Sequence, residues 1–98
     1  MIEENNKFSS WLERLVVYKN NDYKFIMETL DLISISEAKK ITYNEIHNLA
    51  VKYNLCETYK DLLNTLIDDG YINNDDEGKF YTFTSPILRM WWCKKNAN

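Results

Sequence analysis

The chain has 98 residues, 45% of them apolar and 14% aromatic, with a formal net charge of −3. That length holds one domain, and three Trp, seven Tyr and four Phe weigh against a disordered chain. The acidic balance removes the overall basic footprint that a free-standing DNA reader carries, so any nucleic-acid contact needs a local patch.

Residues 1–7 are polar and read as a disordered N-terminal tail ahead of one domain over 8–95. From Phe8 the apolar positions Phe8, Trp11, Leu12, Leu15 and Val16 share one helical face. The Lys19-Asn20-Asn21-Asp22 cluster interrupts the pattern and offers Asp22 as a cap for the next helix. That helix is expected from Tyr23 to Ser34, burying Tyr23, Ile26, Met27, Leu30 and Ile33. After a polar connector, Ile41 suits a short strand.

Thr42-Tyr43-Asn44-Glu45 has the spacing of a capping box. The Thr oxygen accepts from the third helical amide, and the Glu carboxylate reaches back to the Thr amide. The helix it opens points Ile46, Leu49, Ala50 and Tyr53 inward and ends near Asn54. A tight turn at Asn54-Leu55-Cys56 leads to a helix over 57–69 with Tyr59, Leu62, Leu63, Leu66 and Ile67 inward. Gly70 supplies the positive φ of its C-terminal cap.

Tyr71-Ile72-Asn73 and Phe80-Tyr81-Thr82-Phe83 are β-prone runs around a polar turn that contains Gly78. Ser85 and Pro86 suit the N-cap and first position of a last helix. That helix is expected to bury Ile87, Leu88 and Trp91, with Trp92 either in the core or facing a partner. Lys94 and Lys95 favour its C-terminal end. Asn96-Ala97-Asn98 reads as a C-terminal tail and a true chain end. Helix, turn, helix and hairpin in this order predict a mostly α fold with a small β-hairpin: a winged helix-turn-helix with an extra N-terminal helix and a C-terminal helix.

Chemistry-bearing groups are sparse. His47 has no partner in the pattern of a triad or a metal site, and it is expected at the edge of a buried face. Glu57 and Asp61, four apart on one helix, read as a solvated face. Gly70 and Gly78 form neither a P-loop nor a dinucleotide fingerprint. No catalytic, cofactor-binding or metal-ligating residue is predicted. Cys56 and Cys93 read as two free, partly buried thiols of a reducing compartment. The N-terminus has no apolar leader, and no run approaches the roughly 20 apolar residues of a membrane span. The expected setting is cytoplasmic.

Charge divides the candidate surfaces. The helix over 57–69 would expose Glu57, Lys60, Asp61, Asn64 and Asp68, three acids against one base. From Asp68 to Glu77 there are five acids (Asp68, Asp69, Asp75, Asp76, Glu77) and no base. In helix-turn-helix geometry that helix enters the major groove, where these side chains would meet phosphates with like charge. Lys79, Arg89, Lys94 and Lys95 are the basic group nearest the C-terminus.

The run Tyr81-Thr82-Phe83-Thr84-Ser85-Pro86-Ile87-Leu88-Arg89-Met90-Trp91-Trp92, after Leu66-Ile67-Asp68-Asp69-Gly70-Tyr71-Ile72, resembles the C-terminal winged-helix segment of prokaryotic AAA+ ATPases of the archaeal and Bacteroidetes type. The motif covers about a quarter of the chain, and the winged-helix layout extends the resemblance over most of residues 22–95. It implies an ATPase core upstream, where the Walker motifs, ATP and Mg would reside. This chain has no Walker motif and no cofactor of its own. The resemblance implies a non-catalytic, isolated accessory domain whose partner is a protein, the ATPase core in cis. The expected contacts are Glu57, Asp61, Asp68, Arg89 and Trp92. The alternative is a small winged-helix DNA-binding regulator, dimeric through the N-terminal helix, that grips phosphates with Lys79, Arg89, Lys94 and Lys95.

Overall fold

The computed structural model describes residues 9–75 and 79–97, with side chains to Lys95. The expected N-terminal tail, Phe8, the wing residues Asp76, Glu77 and Gly78, and Asn98 lie outside the described residues. Residues 9–14 are helical (α1) and tighten into a 3₁₀ turn at Leu15–Val17. Then come α2 (Asn20–Ile35), β1 (Lys40–Thr42), α3 (Tyr43–Lys52), α4 (Tyr59–Asp68), β2 (Ile72–Asn74), β3 (Phe80–Phe83) and α5 (Pro86–Ala97). None of the helices among the described residues is long and apolar enough to cross a membrane.

β3 lies between β1 and β2 and is antiparallel to both, pairing Ile41 with Tyr81 and Ile72 with Phe83. The short strand expected at Ile41 is therefore the third strand of the sheet. Alternation along the strands turns Ile41, Ile72, Tyr81 and Phe83 toward the helices. Lys40, Thr42, Phe80 and Thr82 occupy the alternate, more exposed positions. In the order α2, β1, α3, α4, β2 and β3 these elements form a winged helix-turn-helix, with α1 and α5 added at its ends.

α2 is the central helix and buries Phe25, Ile26, Thr29, Leu30 and Ile33. It begins earlier than expected and is preceded by Lys19, which makes no side-chain cap. Asn20 takes φ 55°, turning the chain into the helix two residues ahead of Asp22. Asp22 thus lies in the first turn rather than at the cap. There its charge still favours the positive end of the helix dipole. Thr29 is fully buried, and its Oγ1 has no hydrogen-bond partner among the described residues. A buried hydroxyl left unbonded costs free energy that a methyl does not. Thr29→Val, nearly the same shape, is expected to raise stability by about 1 kcal/mol, read from the urea midpoint at unchanged slope.

Both halves of the capping box are present. Thr42 Oγ1 accepts from the Glu45 amide at 3.1 Å, and Glu45 Oε2 accepts from the Thr42 amide at 3.1 Å. At the other end of the motif Gly70 takes φ 88° just past α4. A Cβ there would meet Trp11 at an ordinary 3.6 Å, so backbone conformation rather than space selects glycine. Tyr71, next in the chain, donates its hydroxyl to the Trp11 carbonyl at 2.5 Å and packs edge-on to the Trp11 ring. These contacts fasten α1 over the α4–β2 junction.

α5 closes the core. Ser85 Oγ accepts from the Leu88 amide at 3.2 Å, the N-cap expected ahead of Pro86. Leu88 and Trp92 take the inward row, and Trp92 Nε1 donates to Asp31 Oδ1 of α2 at 2.8 Å.

Candidate docking surfaces

The buried row of α4 is Tyr59, Leu63 and Leu66. Its hydroxyl-bearing member links the two helices of the motif. Tyr59 Oη lies 2.8 Å from Tyr43 Oη and 3.3 Å from His47 Nδ1. Burial pushes the Tyr59 phenol well above its ordinary pKa, while its hydrogen bond to Tyr43 lowers that of Tyr43. His47 itself is exposed at the edge of α3. Its partner was invisible in the sequence because the contact spans 12 positions and a turn.

The outward face of α4 carries Lys60, Asp61, Asn64, Thr65 and Asp68, all exposed. Lys60 Nζ lies 5.9 Å from the Tyr43 ring centre. Glu57 differs from expectation: it precedes the helix rather than sharing its face. Asn54 at φ 61° and a turn in which the Thr58 and Tyr59 amides donate to the Leu55 carbonyl delay the helix start to Tyr59. Glu57 and Asp61 are both exposed but do not form an i,i+4 pair on α4. Cys56 is exposed in the same turn, not partly buried as expected, and Cys93 is half-buried. On the wing, Asp75 Oδ1 accepts from the amides of Lys79 at 2.7 Å and Phe80 at 3.4 Å. That carboxylate therefore shapes the hairpin as well as charging it.

Trp92 is the main correction among the expected contact residues. It is 0% exposed, held between Phe83 and the Asp31 hydrogen bond, and so belongs to the core. With Leu88 and Trp92 inward, residues about 100° round the helix face out. Ile87, expected inside, is 62% exposed, and Met90 is 53% exposed. Trp91 is half-buried against Trp92. The outward apolar stripe of α5 is therefore Ile87, Met90 and Trp91. Arg89 is half-buried and donates to the Ser34 carbonyl at 3.3 Å.

The four bases of the alternative reading are spread out. Lys79 borders a hollow with Tyr43, Asn44 and Phe80, at the start of β3. Arg89 borders another with Thr82 and Phe83, at its end, where Lys39 joins it. Lys95 lies 5.8 Å from the Trp92 ring centre, and Lys94 is exposed.

A further concavity lies between the C-terminal half of α2, β1 and α3. It is an open groove of about 660 Å³ with Leu32, Ile35, Ile41, Leu49 and Phe80 among its lining residues. Lys40, Glu45 and Lys52 supply its charge. Lys52 Nζ pairs with Glu28 at 3.1 Å, and Tyr53 donates its hydroxyl to the same carboxylate. The Tyr53 hydrogen bond, then Lys52, hold the Glu28 carboxyl below its usual range. The sequence reading missed this groove because its residues come from separate elements and form no local pattern. No family model matches the chain, and no curated protein or solved structure matches it at a significant level.

Proposed function

We propose that the chain is a non-catalytic winged-helix module that docks onto protein, an accessory domain of the kind that follows an AAA+ ATPase core. One observation carries this reading: the surface that would enter a major groove is acidic. Glu57, Asp61, Asp68 and Asp69 are exposed around α4, with Lys60 as the exposed base of that helix. Neutralising phosphates supplies most non-specific DNA affinity, and this face opposes it. The exposed apolar stripe of α5 supports the same reading, since apolar side chains gain from cover by a partner rather than by a phosphate backbone.

The test is an anisotropy titration of a labelled duplex at about 0.15 M salt. The expected result is no saturation up to protein concentrations of about 10⁻⁴ M. A salt-sensitive, sub-micromolar complex would overturn the proposal. In the same assay, combined Glu57→Lys, Asp61→Lys and Asp68→Lys is expected to create DNA binding. Its log–log salt slope should be about −2 to −3, roughly one step for each phosphate contact the three lysines make. In the alternative reading, a DNA-binding regulator, wild type binds already. Charge reversal at Lys79, Arg89, Lys94 and Lys95 then abolishes binding, whereas changes at Glu57 or Asp61 do not.

A further inference from the structure

We infer that the hollow bordered by Lys39, Thr82 and Arg89 is an anion site for a phosphoryl dianion, carried by a phosphorylated side chain of the protein on which this module docks. The anion chemistry stands on the hollow alone; that a protein carries the phosphoryl group rests on the docking reading.

The hollow holds about 240 Å³ and is lined by Ala38, Lys39, Thr82, Phe83, Pro86 and Arg89. Three segments meet there: the turn before β1, the end of β3 and the first turn of α5. Arg89 is half-buried, and its guanidinium donates to the Ser34 carbonyl at 3.3 Å. That bond uses one of its five N–H donors. Neither Arg89 nor Lys39 pairs with a carboxylate among the described residues, where the ion pair is Lys52 with Glu28. A guanidinium drawn out of water without a counter-ion is costly, and an anion in the hollow relieves that cost. Lys39 takes φ 63°. The other non-glycine residues at positive φ among those described are Asn20 and Asn54, a residue type that tolerates this region better than lysine. The turn thus holds a lysine where backbone preference selects another residue.

Neighbouring acids do not cancel this charge. Glu37 is exposed in the same turn but does not line the hollow. Asp31 of α2 has its carboxylate engaged by Trp92 Nε1. The acidic wing turn joins the opposite end of β3. The volume is below the roughly 300–1,000 Å³ of sites that enclose a whole small molecule, so a head group fits rather than a cofactor. A phosphomonoester carries about −1.5 to −2 at pH 7 and matches two cations, whereas a carboxylate matches one. The planar fork of arginine also suits phosphate oxygens. Beside Pro86 and Arg89 on α5 stand Ile87 and Met90, both largely exposed. A phosphorylated side chain with apolar neighbours meets both surfaces. A nucleic-acid backbone brings one charge per phosphate and no apolar side chain.

The test uses the full chain, isotope-labelled for amide NMR. The probes are a phosphoserine peptide with Leu on both sides of the phosphoserine, its unphosphorylated counterpart, and inorganic phosphate. The phosphopeptide is expected to give saturable shifts at Lys39, Thr82 and Arg89, with at least about tenfold higher affinity than the plain peptide. Inorganic phosphate should shift the same amides with weaker affinity. Lys39→Asn, which suits the positive φ, should weaken the phosphopeptide by about tenfold with circular dichroism unchanged, and Lys39→Arg should retain binding. Arg89→Gln should weaken it similarly. Equal affinity for the phosphorylated and plain peptides, or shifts away from the hollow, would overturn the anion site and leave protein docking standing. Inorganic phosphate binding as tightly as the phosphopeptide would overturn the protein carrier. Saturable, sub-micromolar binding of duplex DNA in a parallel titration would instead remove the docking reading itself, and the protein carrier with it.

Discussion

Trp92→Ala is expected to cost about 3–5 kcal/mol, a large part of the roughly 5–15 kcal/mol that holds a typical small domain folded. The indole is fully buried against Phe83, and its ring nitrogen is hydrogen-bonded to Asp31 on α2. Truncation leaves a cavity in the layer where α5 meets α2 and β3, and it removes a donor from a carboxylate. Urea unfolding followed by far-ultraviolet circular dichroism measures the loss. Trp92→Phe separates the two contributions. It keeps most of the ring and loses the donor, with an expected cost of about 1–3 kcal/mol. Trp91→Ala, half-buried one position earlier, should cost clearly less than Trp92→Ala. Equal losses at the two tryptophans would contradict the inward assignment of Trp92.

The second large effect is alkaline unfolding. Burial pushes the Tyr71 phenol up to about 12, and it pushes Tyr59 in the same direction. In the unfolded chain both titrate near 10. Below that pH both phenols are protonated in either state, and their contribution to stability is complete. Between about 10 and 12 the unfolded chain releases protons that the folded Tyr71 retains, so stability falls as pH rises. Above about 12 the folded Tyr71 ionises too, and its share of the decline ends. Tyr18, Tyr53 and Lys52 are also raised and act in the same sense, while Tyr43 is lowered and offsets part of it. Urea midpoints should be level to about pH 9.5 and then drop steeply. Tyr71→Phe keeps the ring edge against Trp11, loses the bond to the Trp11 carbonyl, and should make the alkaline decline shallower. An unchanged slope in that variant would show that Tyr71 is not a source of it.

Local features were legible where neighbouring residues decide the outcome. The Thr42–Glu45 capping box, the positive φ of Gly70 and the Ser85-Pro86 helix start are interactions within one turn of chain. The side-chain types alone therefore specify them. Element starts were less legible wherever the backbone adopted an unusual turn. Asn20 and Asn54 take left-handed φ values, moving the start of α2 ahead of Asp22 and that of α4 past Glu57. Helical periodicity identifies an apolar row but not which of two adjacent tryptophans it contains. Only the placement of α2 and β3 sends Trp92 inward and leaves Ile87, Met90 and Trp91 on the outer side.

Composition and order by themselves determined a winged helix-turn-helix with an acidic outer face on its second helix, because hydrophobic period, caps and charge are local properties of the chain. The tertiary structure decided which apolar residues remain outside. It also assembled the groove, drawing Ile35, Ile41, Leu49 and Phe80 from four separate elements. Such a surface arises only when distant segments pack, so no stretch of sequence carries its pattern.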